Sequence, residues 1–470
     1  MRILLPTGAA TEDLVRKAAA GFDADVVVTG EIASFLTPHH LRTLIGRKNY
    51  DLVIVSGMCT ASFAGLERET GVPVYRGPKH AADLALILPA LPSITLSRTV
   101  PADEFLSAKK EEEAMQRVAD LERASDADFI IRGVKIGGGS RIKVLAEIMD
   151  AHREENIRAV AERCFRNGAD IVDLGFGFDA RPADVRRVFA ALDGIDLPLA
   201  ADTQDPDLIL ASLDRADIIL SLQEENTPLV GKDVARAGAT AVVVPNKNSL
   251  AKNIALARAA GIRFIIADPL LQPAGSGLVK SLKNFRPSRY PLFFGAGNVT
   301  ELLDADSVGM NALLAGIAME AGAAVIFSSE HSDKTRGSVR EMRRATEMMA
   351  LARDRPYPKD LGIDLLILKE KRRRREPPLA YDTVVAARKM PDEIEYDPKG
   401  NFRIGVEGET IVAVIHGRAI RGFRWQDVLH TILAQGDVTL LDHAGYLGRE
   451  LYKAELSLRY GRSFEQDGEF

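Results

Sequence analysis

Eight polar side chains, Asp150, Asp173, Asp202, Gln223, Asn246, Asp268, Asn298 and Glu330, each stand at or near the end of a short apolar run. Carboxylates only accept hydrogen bonds when ionised, whereas amides both donate and accept. Brought to one cleft, such a set would complement a planar ligand that offers several N–H donors. The 2-amino-4-oxopyrimidine edge of a pterin has this character, because one carboxylate can accept from two of its adjacent donors. Carboxylates are costly to bury unless a ligand or partner satisfies them. The competing reading for any single acid is that it caps the helix that follows.

The elements that must position these residues are the runs themselves: Val144–Ala151, Asp170–Gly177, Pro198–Thr203, Ile218–Gln223, Ala241–Asn246, Arg263–Pro269, Pro291–Gly297 and Ala323–Ser329. They recur roughly 20 to 32 residues apart with helical stretches between them. Their continuous hydrophobicity suits parallel strands covered on both faces. The spacing predicts a (β/α)8 TIM barrel, in which the site lies at the C-terminal strand ends.

A chain of 470 residues exceeds one ordinary core, so two or three domains are expected. The sequence divides into an N-terminal α/β sandwich domain over 1–105, the barrel over 128–355 and a small C-terminal α+β domain over 379–470. In the first, strand-like Ile3–Leu5, Asp25–Val28, Asp51–Val55 and Val72–Tyr75 alternate with helical stretches, and Pro73 confines the last to a sheet edge. Its strand ends carry Gly8, Gly30, Gly57 and Gly77, which allow tight turns or close approach to a phosphate. Residues 101–127 read as a solvated helical connector, and Ile363–Leu368 as a strand before the basic run Lys369–Arg375. In the third unit a hairpin turns at Glu407-Gly408-Glu409, and Asp442 is placed to cap a final helix. That helix carries Leu447, Leu451, Ala454 and Leu458 on one face, a stripe expected to dock on the barrel or on a second subunit of a homo-oligomer.

A net charge of -5, from 61 basic and 66 acidic residues, gives no electrostatic case for nucleic acid or an anionic membrane. The two cysteines, Cys59 and Cys164, fit a reducing compartment. No signal-peptide pattern opens the sequence and no run reaches about 18 apolar residues, so a cytoplasmic protein is expected. The eight histidines lack H-x3-H or HExxH spacing, and no built-in metal site is expected.

The motifs Gly168-Ala169-Asp170-Ile171-Val172-Asp173-Leu174-Gly175, Arg181-Pro182, Ala201-Asp202-Thr203, Ile265-Ile266-Ala267-Asp268-Pro269 and Gly295-Ala296-Gly297-Asn298 follow one another across the barrel. In order and spacing they resemble the strand motifs of the pterin-binding barrel family, which includes dihydropteroate synthases and corrinoid-linked methyltetrahydrofolate methyltransferases. With the front domain and the tail Asp442-His443-Ala444-Gly445-Tyr446-Leu447-Gly448-Arg449-Glu450-Leu451, the whole chain more closely resembles dihydropteroate synthase-related proteins of tetrahydromethanopterin-using organisms. The resemblance implies a folate- or methanopterin-type pterin as substrate or cofactor. It makes Asp202 and Asp268 acceptors for the ring, and places Asn298 near the ring's reactive edge. Arg181 matches an arginine that synthases use against diphosphate.

The departures fall on the anion side. Ile148-Met149-Asp150-Ala151-His152, Leu270-Leu271-Gln272-Pro273 and Ser329-Glu330-His331 replace synthase loops, and three of the family's cationic contributors are absent. Leu220 stands where the family has an amide, leaving Gln223 or Asn226 to reach the ring. The candidate pterin-binding set is therefore Asp150, Asp173, Asp202, Gln223, Asn246, Asp268, Gly295 and Asn298. Arg181, Lys247 and Lys280 are the anion-binding candidates. The resemblance implies a dihydropteroate synthase-like transferase of one-carbon metabolism. The alternatives are methyl transfer from a methylpterin to a corrinoid or protein acceptor, and a non-catalytic pterin carrier or assembly protein.

Overall fold

The computed structural model describes all residues except 47–48, 356, 360, 370–380, 390–394 and 470, together with the side chains of 106 and 107. The chain divides into two compact units, Met1–Ala380 and Tyr381–Phe470.

The first unit opens with a parallel sheet of β1 (Ile3–Thr7), β2 (Ala24–Val28), β3 (Leu52–Val55) and β4 (Val74–Arg76), in the order β2-β1-β3-β4. The strand behind Pro73 is an edge strand, as its missing N–H requires. Close packing accounts for two of the turn glycines. A Cβ on Gly8 would come within 2.4 Å of the Glu31 carbonyl oxygen, and one on Gly57 within 2.6 Å of the Gly77 carbonyl oxygen.

The helix Ala102–Ala124, expected to be a solvated connector, instead packs along the barrel helix Ser338–Ala352. It buries Ala114 and Val118 with Leu351, Leu361 and Ile363. Residues 363–368 form no strand, because Ile363 is committed to this cluster. The basic run beyond Lys369 lies outside the described residues.

A hairpin of β5 (Phe129–Ile131) and β6 (Val134–Ile136) precedes the barrel and packs Ile131 and Ile136 into its apolar interior. The barrel strands are β7 (Lys143–Ile148), β8 (Ile171–Gly175), β9 (Leu199–Asp202), β10 (Ile218–Leu222), β11 (Thr240–Val243), β12 (Ile265–Ala267), β13 (Leu292–Phe294) and β14 (Ala323–Ser329). They pair in parallel and close, β14 joining β7. At the start of the strands, Asp170 accepts from Arg141 and Arg343 and from the Val144 backbone N–H at 2.8 Å. Lys143, almost wholly buried, bridges the Arg141 carbonyl, Ser140 and Glu122. Burial and the nearby Arg141 lower its pKa to about 8. The cations buried in this barrel thus sit with their partners at its N-terminal end.

The second unit contains an antiparallel sheet of β15 (Arg403–Glu407), β16 (Thr410–Ile415) and β17 (Arg418–Gly422) beneath the helices Trp425–Ala434 and Leu441–Tyr460. Leu447, Leu451 and Ala454 are fully buried against Ile404, Ile411, Ala413 and Val428 of the same unit. The stripe therefore needs no outside surface, because β15, β16 and the helix Trp425–Ala434 cover it within the unit. Asp442 lies inside the first turn of the last helix and does not cap it. The Asp397 carboxylate instead accepts from the Thr439 and Leu440 N–H groups at 2.7 and 3.0 Å. Gln466 accepts from the Ile404 N–H and donates to the Phe402 carbonyl, fastening the tail alongside the sheet.

Candidate functional site: an acid-floored cleft at the barrel mouth

The interior of the barrel is filled by Leu145, Ile171, Ala200, Val242, Ile266 and Val325, with Phe293 and Phe327. Side chains on a strand alternate with a period of two, so residues two positions further along face the same way. That rule puts Glu147 above Leu145, Asp173 above Ile171, Asp202 above Ala200 and Asp268 above Ile266. A layer of carboxyls lies directly on an apolar layer.

Above it is a cleft of about 520 Å³ lined by Glu147, Asp202, Gln204, Leu220, Gln223, Asn246, Asp268 and Asn298, among others. Five of the candidate pterin-binding residues, Asp202, Gln223, Asn246, Asp268 and Asn298, thus share one cleft. Asp173 is wholly buried, and neither carboxylate oxygen has a hydrogen-bond partner. Gly295 is buried behind Asn298, and a Cβ there would meet the Asn298 Nδ2 at 3.3 Å. Asp150 is not among the lining residues. It occupies the left-handed region at φ 47° and approaches Arg153 at 3.6 Å.

The anion candidates are placed differently. Arg181, Lys247 and Lys280 are exposed, and none lines the cleft. Lys247 Nζ donates to Glu225 at 2.7 Å. Glu330 accepts from the Val339 N–H at 2.9 Å and so caps the last barrel helix.

The electrostatics follow from burial without a cation. Desolvation raises Asp202 to about 7, helped by the negative charge of Glu147. Desolvation also raises Asp268 to about 7, although the Leu270 N–H at 2.8 Å favours its charged form. Asp173 is pushed well above the carboxylate range by burial and then by Asp202 and Glu147. Glu147 is raised by burial, against the Ser329 hydroxyl and His331, which favour its charge.

One wall is a network of neutral groups. Gln223 Nε2 donates to Gln204 Oε1 at 3.1 Å, while Gln204 Nε2 reaches Ser221 Oγ at 3.4 Å. Asn226 donates to the carbonyls of Gln204 and Ser221, so its amide holds the wall in place while Gln223 faces the cleft. Glu147, Gln204, Ser221 and Glu225 are polar lining residues that sequence reasoning missed. Glu147 carried a signal, being the one charged residue inside the run from Val144 to Ile148. Among the described residues, no group of three or more His, Cys, Asp or Glu side chains is arranged to hold a metal ion. No helix among them is long and apolar enough to cross a membrane.

Fold and site together define a (β/α)8-barrel protein with a carboxyl-floored cleft at the C-terminal strand ends. The chain is 32% identical over 518 residues to the uncharacterized protein MJ0107 of Methanocaldococcus jannaschii, spanning 99% of this chain and 98% of that one, and belongs to the same family. Residues 396–467 match the family described as PterinBD-DUF4346. Similar solved structures include the dihydropteroate synthase of Thermus thermophilus, 19% identical, covering 44% of this chain and 91% of that one, with a TM-score of 0.37. The Yersinia pestis dihydropteroate synthase is 20% identical and covers 48% and 98%, with a TM-score of 0.38. The strand pairing itself gives the barrel.

Proposed function

We propose that this protein binds a reduced pterin of the folate or methanopterin type in the barrel cleft and acts as a transferase of one-carbon metabolism. Asp202 and Asp268 accept from the ring's N–H donors, and Gln223, Asn246 and Asn298 meet its remaining polar atoms. The observation that carries this reading is the meeting of buried Asp268 and half-buried Asp202, each raised to about 7, with three amides in one cleft. A ligand with several N–H donors supplies what those carboxyls lack. The PterinBD description of the family matched at 396–467 supports the same ligand class. Calorimetric titration with a tetrahydropterin tests it: measurable binding that weakens in both Asp202→Asn and Asp268→Asn is expected, and no binding to the intact protein refutes it.

Within this class, one observation favours methyl transfer from a methylpterin over synthesis of dihydropteroate. Among the described residues, no lysine, arginine or histidine lines the cleft. A departing diphosphate needs cations or fixed donors against its developing charge, whereas a ring nitrogen that gives its methyl group to a nucleophilic acceptor keeps the bonding pair and needs a proton rather than a cation. The acceptor in that case is a corrinoid or a protein. Turnover assays with a pterin diphosphate and with a methylpterin separate the two reactions.

A further inference from the structure

The carboxyl layer extends beyond the two acids that a pterin ring would occupy. Glu147 is the register partner of Asp173 across β7 and β8, and Asp202 pairs with Gly175, two residues beyond Asp173 on the same face. Glu147 lines the cleft; Asp173 is wholly buried, with both oxygens unpartnered. The charged groups influencing Glu147 are His331, Glu301 and Asp150, and Ser329 hydrogen-bonds to it. Glu301 is committed to Ser332, Thr335 and the His331 N–H. The buried cations Arg141 and Lys143 are paired at the other end of the strands. Nothing lining the cleft offsets the negative potential of this corner, and a buried acceptor with no donor is a group that a ligand would complete.

Resting on the pterin reading above, we propose that Glu147 and Asp173 determine the charge of the group accepted beside the ring, selecting a ligand whose arm is cationic, such as a protonated amine, and rejecting an anionic arm. An ammonium supplies three donors and a full positive charge. It would meet Glu147 directly and lower the cost of ionising Asp173 behind it. A phosphate ester in the same place would add like charge to a low-dielectric corner already rich in carboxyls.

The test uses the full chain and three pterins of one ring oxidation state, with an aminomethyl, a hydroxymethyl or a hydroxymethyl-diphosphate arm. Affinities are measured by calorimetry at pH 8 and pH 6. The intact protein is expected to bind the amine arm at least about tenfold more tightly than the hydroxymethyl arm at pH 8, and the diphosphate least tightly. The preference should shrink at pH 6, where the carboxyls hold more protons. In Glu147→Gln and in Asp173→Asn the ratio between amine and hydroxymethyl arms should fall severalfold. A ratio cancels any general loss of affinity, and Glu147→Gln decides alone if the buried Asp173→Asn does not fold. Equal affinity for the two arms in the intact protein, or an unchanged ratio in Glu147→Gln, overturns the proposal while leaving pterin binding intact. Failure of all three pterins to bind overturns the pterin reading and this inference with it.

Discussion

Glu147 and Asp173 are register partners on two neighbouring strands of the barrel, both pointing inward, and among the described residues no lysine, arginine or histidine lines the cleft above them. Two carboxyls so placed cannot both ionise cheaply, and burial, then Asp202 and Glu147, hold Asp173 well above the usual carboxylate range. Burial of these carboxyls, with Asp202 and Asp268, ties the stability of the barrel to pH.

Replacing Asp202 or Asp268 by asparagine should weaken binding of a reduced pterin by about 1–3 kcal/mol, because an amide cannot accept from two ring N–H groups and leaves one unpaired. Titration calorimetry of each variant checks this. Undiminished affinity in both would return these acids to a purely structural role.

The same substitutions should stabilise the empty protein at alkaline pH. Asp202 and Asp268 have folded pKa values of about 7, above the usual carboxylate value. The folded state therefore binds protons more tightly than the unfolded chain. Their contribution is fully present below about pH 4 and is lost as pH rises through about 7. Melting curves at several pH values should show both variants melting above the parent protein at pH 8, with the gap closing towards pH 5. A gap independent of pH would mean that these carboxyls are not held protonated.

Synthesis of dihydropteroate from a hydroxymethylpterin diphosphate and p-aminobenzoate should be slow or undetectable. Loss of even one preorganised stabiliser of the leaving group typically costs about 100-fold or more. Robust turnover by the purified protein would show that Arg181, Lys247 or Lys280 moves into the cleft, and single alanine variants would identify which.

At the other end of the barrel, Asp170→Ala should leave Arg141 without its carboxylate partner, Arg343 with Glu347 alone and the Val144 N–H unpaired, destabilising the fold by about 3–5 kcal/mol. Chemical denaturation of the variant measures this. A loss below about 1 kcal/mol would mean that water replaces the lost partner.

Sequence and structure agree most closely where periodicity carries the information. The eight barrel strands fall inside the eight apolar runs or within a residue of them, because a parallel strand buried on both faces must be apolar throughout its length. The ends of the runs are less informative. The first run extends to Ala151 but its strand stops at Ile148, so Asp150, at the run's edge, falls outside the cleft while Glu147 lies within it. Counting in twos from the interior residue Leu145 identifies Glu147; counting to the end of the run does not. The tail helix shows the complementary failure. Its stripe is visible in the sequence, but what covers it is not, because the apolar faces of β15, β16 and the helix Trp425–Ala434 are brought to it only by the tertiary fold. Asp397 likewise steadies the start of the helix Leu441–Tyr460 from 42 and 43 residues away in sequence, a distance local capping patterns do not reach.

The hairpin Phe129–Ile136 gives the barrel a closed base, with Ile131 and Ile136 set into the apolar layer beneath the carboxyls. The carboxyl layer above it opens to water on the side of the mouth. A ligand filling that mouth would cover Asp173 and slow the exchange of its proton. Any reaction in the cleft begins with the protonation state captured at the moment of binding, and the order in which ligand and proton arrive becomes part of the chemistry.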